Sequence, residues 1–169
     1  MSAGPPSINH LDLLLRARVI ADLFWKTVMP TSSVTAPPRV LVIDPEQWPR
    51  SLLRATLRER GYDAVGTRSV ESALRIPVHA PERGPVEVLL FDQQALRDAE
   101  VEIARANVTA LFDRYPTAAR VLLARVNVLP PILSRPWTLI LRRPLTVEEI
   151  VSAIEALRPL NRDARKPLD

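Results

Sequence analysis

The chain has 169 residues, 47% of them apolar and 25% charged, which is enough for one domain with a buried core and too apolar for wholesale disorder. It has no cysteine and only two histidines, His10 and His79, which excludes disulfides, thiolate zinc sites and a Cys nucleophile and argues against a His-rich metal site or a histidine-centred triad. The net charge of +4 raises nucleic acid as a partner, but the arginines are dispersed among Asp and Glu without a basic block, so nucleic-acid binding is not expected.

No apolar stretch approaches the length of a membrane span, and the start lacks the basic-then-apolar form of a signal peptide. A cytoplasmic protein with no membrane partner is the expectation. Residues 1–38 read as an N-terminal helix and a Pro-rich linker. From Asn9 to Val28 the spacing is helical, with Ser7 or Asn9 as cap and Pro30 as stop. Leu13, Ile20, Phe24 and Trp25 share one face, while Leu11, Leu15, Val19 and Leu23 are mixed among the charged positions. A helix apolar on more than one side needs more than one partner surface, so it packs on its own domain or is shared between two subunits.

From Arg39 the chain alternates. Arg39 to Ile43 reads as a buried strand, and Trp48 to Gly61 as a helix with Leu52, Leu53 and Leu57 inward, Pro49 in its first turn and Gly61 as its stop. A short strand (Ala64 to Gly66) and a short helix (Val70 to Ile76, capped by Ser69) follow. Pro77 to Pro85 is a loop and Val86 to Phe91 a strand. Asp98 to Arg114 is a helix using Ile103, Val108, Leu111 and Phe112, and Arg120 to Ala124 is a strand. Prolines 130, 131 and 136 limit any helix over Val126 to Pro136 to a brief one. Thr138 to Leu141 is the last strand. Thr146 to Leu157 is a helix opened by a capping box, and residues 160–169 are a polar tail. Trp48 and Trp137 are expected to pack rather than to stack on a ligand.

Five strands alternating with helices specify an α/β domain with a parallel sheet and right-handed crossovers. Its four glycines form no phosphate-binding loop. The chemistry therefore rests on the strand ends. Asp44 follows the first strand, Asp92 closes the third, and Arg142-Arg143-Pro144 follows the last. In an open parallel sheet the carboxyl ends of the strands gather in one crevice. These groups can cap nearby backbone amides, pair with Arg143, or carry chemistry.

The segments RVLVIDPE, RERGYDAVGTRSVESAL, VEVLLFD and LILRRPLTVEEIVSAIEAL, in that order, resemble a receiver domain of two-component signalling over residues 39–159. The resemblance implies a flavodoxin-like (CheY-like) five-stranded parallel sheet of order 2-1-3-4-5, with the N-terminal helix added. It also implies an acid pair holding Mg²⁺, an acceptor Asp, a Ser or Thr, a Lys before Pro, and an aromatic residue that swings inward on activation. Asp92 matches the acceptor and Asp44 the first acid, so these two would be the metal ligands. The second acid position is Pro45, followed by Glu46. The hydroxyl position is Ala124, the Lys position Arg143 and the aromatic position Ile140. Phosphoryl transfer to a carboxylate gathers anions that a divalent cation and an ammonium must offset, and Arg is not a safe replacement for Lys there.

The expected function is thus a stand-alone, atypical receiver that is not an enzyme. It acts on other signalling proteins by contact, with Mg²⁺ needed only if the acid site works. A phosphorylatable receiver with Glu46 and Arg143 as stand-ins is the alternative, and a phosphohydrolase passing through an aspartyl phosphate lacks the second acid of a DxD step. Leu13, Ile20, Phe24 and Trp25 of the first helix, through which a homodimer is expected, and Ile150 and Ile154 of the last are the candidate interaction residues.

Overall fold

A computed structural model describes residues 36–97, 99–125, 129–133 and 136–160. The helix expected over Asn9 to Val28, with Leu13, Ile20, Phe24 and Trp25, lies outside these residues. So do Asp98, where the helix ending at Arg114 was expected to begin, and most of the tail. The described elements are β1 (Arg39–Ile43), α1 (Gln47–Glu59), β2 (Asp63–Thr67), α2 (Val70–Leu74), β3 (His79–Ala80) and β4 (Gly84–Asp92). They continue with α3 (Val101–Arg114), β5 (Ala119–Ala124), β6 (Leu139–Arg142) and α4 (Val147–Leu157), with 3-10 turns at Gln93–Leu96 and Pro131–Leu133.

Every residue of β1 is buried, as a strand covered on both faces requires. Alternation then divides the sheet between two cores. Val40, Val42, Val88, Leu90, Val121 and Leu123 face α1 and α4, in one cluster with Leu53, Leu57 and Leu157. Leu41, Ile43, Leu89, Phe91, Leu122 and Ala124 face α2 and α3, in the other cluster with Val70, Val108 and Leu111. The strands pair in the order β2-β1-β4-β5-β6, all parallel, which is the anticipated 2-1-3-4-5 when the five parallel strands are counted alone.

A sixth strand lies inside the span expected to be a loop. β3 pairs antiparallel with the start of β4, His79 opposite Pro85 and Ala80 opposite Gly84. Gly84, at φ 70°, supplies the left-handed turn, and the Arg83 amide donates to the Ala80 carbonyl at 3.0 Å. Two residues are too few for an alternating pattern to reveal such a strand.

The helix ends follow local chemistry. After α1 the amide of Gly61 (φ 101°) donates to Arg58 at 2.9 Å and that of Tyr62 to Leu57 at 3.0 Å, the paired bonds of a Schellman stop. The Thr146–Glu149 capping box opens α4, and Ser69 caps α2.

Several expected core positions differ. Leu52 is 42% exposed and Ile103 52%, because each sits about 100° around its helix from the inward pairs Leu53/Leu57 and Ala104/Val108. Trp48, expected to pack, is 77% exposed. Trp137 does pack, with its ring 5.7 Å from Phe91 and 5.0 Å from Phe112, and its indole N–H donates to the Leu133 carbonyl at 2.9 Å. Ile150 and Ile154, expected on an interaction surface, are buried against the sheet, since they form the i, i+4 stripe by which α4 joins the core. Among the described residues no helix is long and apolar enough to cross a membrane.

Candidate functional site

Parallel register brings the strand ends together: Ile43 lies beside Phe91, Asp92 beside Leu123 and Ala124 beside Arg142. Asp44, Asp92, Arg125 and Arg143, each at or just past a strand end, therefore share one edge of the sheet. Pro45 and Glu46 enter the same edge from the start of α1.

Asp92 has no exposed surface. Its Oδ2 accepts from Arg143 Nη2 at 2.7 Å, and its Oδ1 accepts from the Gln94 backbone amide at 2.8 Å. Arg125 Nε stands 3.7 Å from the same Oδ1. Asp44 is as deeply buried, with Oδ1 accepting from the Glu46 amide at 2.8 Å. Its Oδ2 has no hydrogen-bond partner and lies 3.9 Å from Arg143 Nη2. One guanidinium nitrogen thus serves both carboxylates. Burial pushes the Asp44 carboxyl above its ordinary range, and the charges of Asp92 and Glu46 push the same way, against the Glu46 amide and Arg143.

An outer layer closes over this pair. Arg125 Nη2 donates to Glu46 Oε1 at 3.1 Å, and the Arg125 amide donates to Gln93 Oε1 at 2.9 Å. With its carboxamide nitrogen towards Glu46 and its oxygen towards Arg125, Gln94 bridges the two. Arg50 Nη1 donates to the backbone carbonyls of Asp44, at 2.6 Å, and Pro45, at 3.2 Å. Arg125, Arg50, Gln93 and Gln94 were not anticipated. Arg125 carried a signal, since it directly follows β5 just as Asp44 follows β1.

The donor set is a poor match for Mg²⁺, which takes near-octahedral oxygen ligation at about 2.0–2.1 Å. Pro45 contributes no side-chain donor, Glu46 is turned to Arg125, and the open flank of Asp92 is taken by a guanidinium. Among the described residues no group of three His, Cys, Asp or Glu could hold a metal ion. Ala124, 1% exposed, offers only a methyl group, which packs in the core cluster with Phe91 and Leu133. Ile140 is half-buried against the core cluster on the α2/α3 side of the sheet, and the Arg143–Pro144 peptide is cis. Ile150 and Ile154 lie away from this edge, in the core.

No protein-family profile and no curated protein matches the chain. Solved structures do. The signal receiver domain of an HD domain-containing protein from Pseudomonas fluorescens is 18% identical, with 76% of this chain and 93% of that one aligned at a TM-score of 0.56. The chemotaxis protein CheY4 of Vibrio cholerae is 18% identical over 72% of this chain and 99% of its own, at 0.53. A response regulator from Burkholderia pseudomallei, solved with a phosphorylated aspartic acid, calcium ion and citrate, is 22% identical over 70% and 68%, also at 0.53. At such identities the likeness establishes the fold: the chain has the receiver-domain architecture.

Proposed function

We propose that the chain is a signalling module of receiver type that works through protein–protein contact, without phosphorylation of its strand-end aspartate and without catalysis. The carrying observation is the bond from Arg143 to Asp92 Oδ2, at 2.7 Å inside a buried pocket. The guanidinium supplies from within the positive charge that a divalent cation would otherwise bring. It also covers Oδ2, while Oδ1 accepts from the Gln94 amide, so neither carboxylate oxygen is left free to attack phosphorus. Asp44, Arg125 and Glu46 extend this pair into a network in which every acid faces an arginine, which supports a structural rather than a reactive pocket.

The full chain incubated with acetyl phosphate and Mg²⁺ is expected to remain unlabelled. Stoichiometric, hydroxylamine-sensitive labelling that disappears in Asp92→Asn would overturn the reading in favour of a phosphorylatable receiver with Glu46 and Arg143 as stand-ins. Partners are proposed to be other signalling proteins and a second copy bound through residues 9–28, whose sequence is apolar on more than one side. Removing residues 1–30 is expected to give a monomer or an aggregating domain by light scattering, and a variant that remains a dimer would exclude that route to assembly.

A further inference from the structure

The crossovers from β1 to β2 and from β4 to β5 carry long helices, whereas between β5 and β6 the described residues provide only the 3-10 turn Pro131–Leu133. The flank of α3 beside that turn is left as a cavity of about 170 Å³. Leu96, Val101, Ala104, Pro130, Ile132 and Leu133 give it apolar walls, and Gln93 and Arg97 are its hydrogen-bonding side chains. An engineered apolar cavity of about 150 Å³ takes up benzene, so this volume suits one six-membered ring or a short branched chain.

The polar groups decide the chemistry of the other end. The Gln93 side-chain oxygen is already used by the Arg125 amide, which leaves its NH₂ to donate. Arg97 has no ion-pair partner among the described residues. The first-turn acid of α3, Glu102, is turned to Arg105 at 3.4 Å. Both polar side chains of the lining therefore offer N–H donors. The geometry points to a binding site for a small hydrophobic carboxylate, with its body against Leu96, Ala104 and Ile132 and its oxygens on Arg97 and Gln93. Gln93 links the cavity to Arg125, whose side chain reaches Asp92 and Glu46, so an occupant is felt in the acid pocket.

This site does not depend on the signalling reading, and failure to bind would leave that reading standing. The test is titration of the ¹⁵N-labelled full chain with benzoate and, separately, with benzylamine. Benzoate is expected to shift the amides of Leu96, Val101, Ala104, Ile132 and Arg125 to saturation, and benzylamine to bind at least about tenfold more weakly, lacking an acceptor for the two donors. Arg97→Gln should weaken benzoate about tenfold, the scale of one charge-assisted hydrogen bond. Ala104→Phe should abolish binding by filling the cavity. Val101→Trp, at a position 63% exposed, should block it even if Ala104→Phe does not fold. Non-saturating shifts, undiminished binding in the blocking variants, or equal binding of benzylamine would each overturn the proposal.

Discussion

The two ends of β1 carry opposite charge problems and solve them differently. At the amino end Arg39, 3% exposed, donates to the Pro77 carbonyl at 3.1 Å and lies 3.7 Å from Asp63, which also takes a two-pronged bond from Arg83. There one acid meets two arginines, and Arg83 remains about half exposed to water. At the carboxyl end three acids, Asp44, Glu46 and Asp92, share Arg125 and Arg143, and two of those acids are buried. Excess cation leaves the buried Arg39 Nε without a hydrogen-bond partner, and burial and the charge of Arg83 lower the Arg39 pKa, but guanidinium is weakly hydrated and keeps its proton. Excess buried acid leaves one carboxylate oxygen orphaned and one carboxyl with a raised pKa. The carboxyl end, with two buried acids, is therefore the more costly one, and Arg143 is the arginine that lies within 4 Å of both of them.

That contrast is most sharply tested at Arg143. Arg143→Ala strands two buried carboxylates, and a loss of about 3 kcal/mol is expected in urea unfolding. A loss below about 1 kcal/mol would mean that water or Arg125 replaces the guanidinium.

A smaller effect of opposite sign is expected at Asp44. Its folded-state pKa lies above the unfolded value, so the folded chain binds the extra proton between the two, and stability falls as pH rises through that window. Asp44→Asn should accordingly be more stable than the parent at neutral pH. Its advantage should shrink as pH falls towards the ordinary carboxylate range. Parallel melting curves at several pH values would show this, and a destabilised or pH-independent variant would contradict it.

The smallest change is expected at the amino end. Arg83→Ala removes a half-exposed partner while Arg39 still faces Asp63, so about 0.5 kcal/mol should be lost, and less in high salt. A loss equal to that of Arg143→Ala would erase the distinction between the two ends.

Much of the fold was legible because its signals are local. The all-apolar run of β1, Gly61 after α1 and Thr146 with Glu149 each act through the backbone of their own segment. Helix faces were read less well where apolar residues outnumber inward positions, as at Leu52 and Ile103, since periodicity cannot say which of two adjacent apolar residues turns inward. The strand-end logic found Asp44, Asp92 and Arg143. It missed Arg125 because an arginine after a strand is one among many in this chain, and only register gives it a partner.

The sequence by itself determined the alternation of strands and helices, and the gathering of two acids and a basic-Pro step at one edge with Pro45 and Ala124 beside them. These are properties of residue type and order. Only the tertiary structure decided that Arg143 bonds Asp92 while serving Asp44, that Arg125 reaches Glu46 across 79 residues of chain, and that a cavity lies between α3 and the Pro131–Leu133 turn. The physical reason is that long side chains from different strands settle their distances by packing and charge together, and neither is written in the spacing of any one segment.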